Sequence, residues 1–160
     1  MAKLFVANTS NVKEMKNGRP MNVEITKEQV AAAGVDGLAN CTIVTLGAAG
    51  EGENDHVFKT TVLKASEVAE KVSTGEAYVI VAPEIMVEEA RRTDGHIGKF
   101  RLEAGVYTAY QLQPHDRLEL SADHPFVAAS SKVISTRNMA EAIYLLEEEQ
   151  APVVMKKIEF

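Results

Sequence analysis

The four histidines are the first side chains to consider for metal binding or for general acid–base chemistry. They are His56, His96, His115 and His124. None of them has the HxH, HxxxH or HExxH spacing that puts two ligands on one face of a strand or helix. Only convergence in the folded chain, for example beside Glu84, would bring them into one site. The spacing alone therefore predicts no metal site.

A glycine-rich stretch at residues 47–52 superficially resembles a phosphate-binding loop. Glu51, Glu53 and Asp55 lie in or directly after it, and no helix pattern follows to supply backbone N–H groups. Their negative charges would repel a phosphate. The same acids alternate as calcium ligands do, but the twelfth position of such a loop is Val62 instead of a glutamate. We interpret the stretch as the tip of a hairpin.

Candidate nucleophiles also lack their usual surroundings. Cys41 opens the β-branched run "CTIVTL", where a cysteine typically behaves as a small buried hydrophobe. Ser130 and Ser131 are not part of a GxSxG turn. Glu84 follows the apolar run "YVIVA" through Pro83, which ends a strand because proline has no N–H to donate. The sequence therefore predicts no catalytic residues, no cofactor and a non-enzymatic function.

The charge balance limits the partners that the chain is expected to have. It contains 23 acidic and 17 basic residues, for a net charge of −6, and no basic cluster stands free of acids. Such a surface repels nucleic-acid phosphates, so we expect no nucleic-acid partner. A single cysteine excludes an intrachain disulfide framework. No apolar run approaches the roughly 20 residues of a membrane span, and we expect a soluble protein without a membrane partner.

Short strands separated by turn residues dominate the rest of the pattern. Strands are predicted at residues 21–26, 41–46, 56–63, 77–82, within 98–121, and in segment 126–134, at "SKVIS". Short helices are predicted at 26–34, with a capping box of Thr26 and Gln29, and at 66–75, capped by Ser66 and ended by Gly75. Residues 139–150 fit either a helix or one strand of a terminal hairpin with residues 151–160.

These elements predict a mainly β fold, an antiparallel β-barrel or sandwich with two or three short helices. Residues 1–20 are interpreted as an extended N-terminal arm, because their only apolar run is the four residues Leu4–Ala7 and turn residues follow it. Residues 21–160 are predicted to form a single β-rich domain, which is an ordinary size for one core.

The order of features between residues 75 and 121 resembles a pattern in small head proteins of tailed bacteriophages, the capsid decoration or cement proteins. The matching residues are Gly75, Pro83, Glu84, Phe100, Gly105, Tyr110, Leu112 and Asp116, with His115 where the pattern has a glycine. The resemblance implies a non-enzymatic virion protein on the capsid exterior, made in the host cytoplasm. It also implies a homotrimer that bridges subunits of the major capsid protein.

A partner interface is predicted at the two ends of the chain. Leu4, Phe5 and Val6 in the arm can add a strand to a neighbour's sheet, and the C-terminal strand is interpreted as a second sheet edge with Val153, Val154 and Phe160 as contacts. The alternatives are a phage tail or adaptor subunit, which would assemble into rings without a capsid, and a small enzyme or ligand-binding barrel. The last would need polar groups converging in one concave pocket.

Overall fold

Five strands close a barrel, and three more form a separate sheet beside it. The computed structural model describes Phe5, Ala7 and residues 20–82, 101–130, 132–139 and 153–160. The elements in chain order are β1 (Pro20–Ile25), α1 (Lys27–Ala32), β2 (Ile43–Ala49), β3 (Phe58–Val62), α2 (Ala65–Ser73), β4 (Tyr78–Val81), β5 (Gly105–Gln111), β6 (Arg117–Ser121), β7 (Lys132–Met139) and β8 (Val153–Glu159). The prediction of a mainly β fold with a barrel and short helices is confirmed.

The barrel has the strand order β1-β3-β2-β4-β5 and closes by pairing β5 with β1. All its pairs are antiparallel except β1 with β3, which is parallel. The predicted hairpin at 41–63 is present as β2 and β3, with a 3-10 turn at Gly52–Asn54 in its tip. The apolar run at 77–82 forms β4, a central strand between β2 and β5.

Two apolar cores follow from the alternation of side chains along these strands. The first fills the barrel, and its buried members are Val23, Ile25, Leu38, Val44, Tyr78, Ile80, Ala82, Leu102 and Ala109. The second lies between the outer face of the barrel, α2 and the three-stranded sheet. Val79 of the barrel, Val68 of α2 and Leu118 of the sheet are all buried in it. The sheet is thus fixed to the barrel by one continuous apolar layer.

The two helices start and stop for local reasons. Thr26 and Gln29 form the predicted capping box, since the Gln29 N–H donates to Thr26 Oγ1 and the Thr26 N–H donates to Gln29 Oε1. The prediction that Ser66 caps α2 was wrong, because the helix begins at Ala65 and the Lys64 N–H donates to Glu67 Oε1. The end of α2 before Gly75 is confirmed, with Gly75 at a φ of 75°.

The three-stranded sheet has the order β6-β8-β7, with β8 antiparallel to both neighbours. The turn that leads into β6 contains His115 at a φ of 74°, in the left-handed region that favours glycine. The prediction that the C-terminal strand is a sheet edge was wrong, because β8 lies in the middle and pairs on both sides. Of the proposed terminal hairpin, the first strand at residues 142–149 lies outside the described residues.

Candidate interaction surface

The three-stranded sheet has two outer sides, and they differ in what covers them. On the β6 side, Ala7 of the N-terminal arm forms an antiparallel bridge with Leu120. On the β7 side, none of the strands in the described ranges pairs with the outer edge. An edge strand presents a row of backbone N–H and C=O groups that another chain can pair with. The β7 edge is therefore the open end of this sheet within the described part of the chain.

The side chains of β7 are exposed on both of its faces. Every described side chain from residue 132 to residue 137 is exposed, including Val133 at 48% and Ile134 at 37%. A strand on the surface of a domain normally buries one face and exposes the other. Val154 on the neighbouring β8 is also 37% exposed. Within the described part of the chain, the apolar groups of β7 thus add to an uncovered surface.

A bulge sets the direction of the charged side chains of β7. Val133 pairs with Ile158 and Ser135 pairs with Lys157, so Ile134 is one extra residue on β7. Lys132 pairs with Glu159 and Arg137 pairs with Met155, and these two partners are four residues apart on β8. The extra residue therefore puts Lys132 and Arg137 on the same face, although they are five residues apart in sequence.

The outer face of the sheet carries buried acids beneath exposed bases. Glu119 is almost fully buried, and its two oxygens accept from Arg137, from Nε at 2.7 Å and from Nη2 at 2.5 Å. The Arg137 side chain is still 52% exposed. The hydrogen bond to Glu119 raises the pKa of Arg137. This bidentate pair crosses the middle strand, since Glu119 is on β6 and Arg137 is on β7.

A second buried acid links all three strands at their other end. The Glu159 carboxylate lies 2.5 Å from Lys132 Nζ and 3.2 Å from Arg117 Nε, with His115 Nδ1 at 4.0 Å. The hydrogen bond from Lys132, together with that from Arg117, lowers the pKa of Glu159 against the opposing effect of burial. Lys132 remains 64% exposed and Arg117 41% exposed. The exposed charged groups on this face are therefore mainly positive.

The strands of this sheet contain five basic residues and two acidic residues. They are Arg117, Lys132, Arg137, Lys156 and Lys157, against Glu119 and Glu159. The whole chain has the opposite balance, with a net charge of −6. Lys156 pairs with buried Leu120 and so lies on the face that packs on the second core, which leaves the other four basic residues and both acids on the outer face. The outer face is thus a basic surface on an acidic protein, and an approaching acidic segment is attracted to it.

Of the residues predicted for the partner interface, Phe5, Val154 and Phe160 have described side chains, and these lie in different surroundings. Phe5 is 4% exposed and packs within its own chain, with its ring centroid 4.1 Å from the Arg101 guanidinium carbon. The domain itself thus supplies the apolar surroundings that an isolated arm lacks, and the role of Phe5 as a partner contact stays a prediction. Phe160 is partly buried against the second core, and Val154 is exposed. Leu4 and Val6 lie outside the described residues, and Val153 begins β8.

Sequence reasoning found β7 as a strand but gave it no function. Two features of its sequence, "KVISTRNM", could have indicated the edge. Its apolar residues are adjacent instead of alternating, so neither face is marked as buried. Its only charged residues are basic, in a chain with an excess of acids.

The described histidines lie apart and in different surroundings. His56 is exposed, with Nδ1 3.5 Å from Asp55, and His115 faces Glu159. Among the described residues no group of three or more histidine, cysteine or acidic side chains is placed to hold a metal ion. His96, Glu84 and Ser131 lie outside those residues, and Cys41 is buried.

His124 is buried and joins the arm to the barrel. Its Nε2 lies 2.7 Å from the backbone oxygen of Asn40, and its Nδ1 accepts from the Phe126 N–H at 3.1 Å. These two bonds use both ring nitrogens of the neutral side chain, so a second proton would remove the bond to Phe126. Burial, with a smaller contribution from the Arg101 charge, lowers the pKa of His124 to about 4. His124 therefore serves as a neutral core residue, in contact with the ring of Phe5.

One groove in the described part of the chain combines an apolar lining with polar groups. It has a volume of about 400 Å³ and lies between α2 and the start of β7. Ala69, Val72 and Phe160 supply apolar surface, and His115 and Lys132 supply polar groups. The ligand-binding alternative would use this groove, but Lys132 is already paired with Glu159 there.

Comparisons with known proteins gave no match to a protein-family model, to a curated protein or to a solved structure.

Among the described helices, none is both long enough and apolar enough to cross a membrane.

Proposed function

We propose that this protein is a non-enzymatic structural subunit of a tailed-bacteriophage head. It binds the outer surface of the capsid as a decoration protein and bridges subunits of the major capsid protein. The observation that carries the proposal is the open β7 edge, whose described side chains are exposed on both faces. Strand addition to such an edge is a recurrent way for assembly proteins to bind a partner.

The arrangement of the sheet suits a contact that must carry mechanical force. Buried Glu119 and Glu159 tie all three strands together through Arg117, Lys132 and Arg137. The other face of the sheet packs on the second core. A partner strand added at β7 would thus be connected to the barrel through ion pairs and apolar packing. A decoration protein works through many such contacts spread over a large interface instead of one reactive site.

The turn before β6 supports the family resemblance. The phage pattern has a glycine where this chain has His115, and the backbone there adopts the left-handed conformation that glycine favours. A glycine at this position would adopt the same backbone conformation readily. Asp116 follows it and accepts from the Gln113 N–H at 2.8 Å, which closes the turn.

Co-sedimentation with undecorated heads tests the proposal. The purified protein is mixed with heads assembled from the major capsid protein of the same genome, and the pellet is assayed for bound copies. We expect saturable binding at a fixed number of copies per head. A protein that stays in the supernatant contradicts the proposal, and rings formed by the protein alone would indicate a tail or adaptor subunit.

Two matched variants connect the result to β7. Ile134→Glu puts a carboxylate on the open edge, and Val106→Glu puts one on β5 of the barrel, where Val106 is 59% exposed. Both side chains are exposed, so both variants are expected to fold. We expect Ile134→Glu to reduce head binding and Val106→Glu to leave it unchanged.

A further inference from the structure

We propose that β7 binds an extended acidic strand of its partner, along the regular section from Ser135 to Met139, and does not pair with a second β7. This inference rests on the proposed assembly function and identifies the chemistry of the bound segment. The regular section pairs without interruption with residues 153–157 of β8 on its inner side. Its outer side is the open edge described above.

The charges of β7 argue against pairing between two copies of the strand. β7 contains Lys132 and Arg137 and no acidic residue. An antiparallel pair of β7 strands about a twofold axis between Ile134 and Ser135 would put Lys132 opposite Arg137 of the other copy, and an axis at Arg137 would put the two arginines opposite each other. Like charges directly opposite one another destabilise a strand pair. The bulge at Ile134 interrupts the register of such a pair as well.

The same charges favour a partner strand with carboxylates on one face. Lys132 and Arg137 project on the same face of β7. Their pairing partners on β8 are four residues apart, which corresponds to about 13 Å along a strand. Their own acids, Glu159 and Glu119, are buried beneath them and leave the outer sides of both cations exposed. Acidic residues at alternate positions of an added strand would lie on the same face as these cations, with Arg137 beside the regular section and Lys132 beyond its start.

Peptide binding followed by NMR tests the inference on the purified protein. The probe is an octapeptide that alternates glutamate and valine, and its control has lysine in place of glutamate. We expect the acidic peptide to shift the backbone amides of Ser135–Met139 and to bind more weakly as salt is raised. The control peptide should bind at least about tenfold more weakly, a difference of about 1.4 kcal/mol.

The variants make the location of binding falsifiable. Ile134→Glu should weaken binding of the acidic peptide by about tenfold, because the new carboxylate repels the bound strand. Val106→Glu should leave the affinity unchanged. The inference is overturned if millimolar acidic peptide leaves the β7 amides unshifted. It is also overturned if both peptides bind equally, or if a DNA oligonucleotide binds this face and the acidic peptide does not.

The outcome is separable from that of the head-binding experiment. If the acidic peptide binds β7 while the heads do not bind the protein, the inference stands and the capsid function fails. If heads bind the protein and Ile134→Glu leaves both head binding and peptide binding unaffected, the capsid function stands and the inference fails.

Discussion

Replacing Phe5 with alanine tests whether the N-terminal arm belongs to the folded domain. The ring is 4% exposed, lies 4.1 Å from the Arg101 guanidinium carbon and contacts the ring of His124 at 6.1 Å between centroids. Burying a phenylalanine side chain contributes about 1.5–3 kcal/mol, and a cation above its face adds about 0.5–1 kcal/mol. We therefore expect Phe5→Ala to lower the free energy of unfolding by about 3 kcal/mol, near the lower end for such substitutions.

The assay is urea denaturation followed by far-UV circular dichroism. The expected result is a lower midpoint with an unchanged m-value, since the surface exposed on unfolding changes little. Val35→Ala is the matched control, because Val35 is fully exposed and its truncation should change the free energy of unfolding by less than about 0.5 kcal/mol. A loss below about 1 kcal/mol for Phe5→Ala would refute the assignment of Phe5 to the core. An unchanged fold with lost assembly would support the sequence-based interpretation of the arm as a partner contact.

Three further predictions follow from buried or constrained groups. Because the pKa of His124 is lowered to about 4, the unfolded chain binds the proton first as pH falls, and the free energy of unfolding should decrease by about 3 kcal/mol between pH 6.5 and pH 4. Denaturation curves of His124→Gln should lack this dependence on pH. Gly75→Ala should lower the free energy of unfolding by about 1–2 kcal/mol because Gly75 has a positive φ. In the same assay Gly105→Ala should leave it nearly unchanged, since a Cβ at Gly105 meets open space. A double-mutant cycle of Glu119→Gln and Arg137→Met should give a coupling of about 1–2 kcal/mol, limited by the half-exposed arginine, and a coupling near zero would show that the pair does not hold the sheet.

Local signals in the sequence predicted local structure well. The capping box of Thr26 and Gln29 requires only residues three apart, and it is present as predicted. Gly75 ends the second helix for an equally local reason. The β pattern predicted within 98–121 contains β5 and β6. Patterns of this kind depend on neighbours in sequence, so no tertiary information was needed.

Strand order and the position of the arm could not be predicted in the same way. The apolar alternation of β8 fits an edge strand and a central strand equally well, and only pairing with both β6 and β7 decides between them. The burial of Phe5 depends on Arg101 and His124, which are about a hundred residues away in sequence. The open edge at β7 is a consequence of these same long-range pairings. The candidate surface was therefore visible only in the folded chain.

Amide hydrogen exchange of the protein bound to heads tests the central claim most directly. The free protein should exchange readily at the outward-facing amides of β7, since no described strand covers that edge. We predict that these amides become protected when the protein is bound to heads, while those of β1 and β3 in the barrel change little. Protection that appears elsewhere with β7 unchanged would contradict the account.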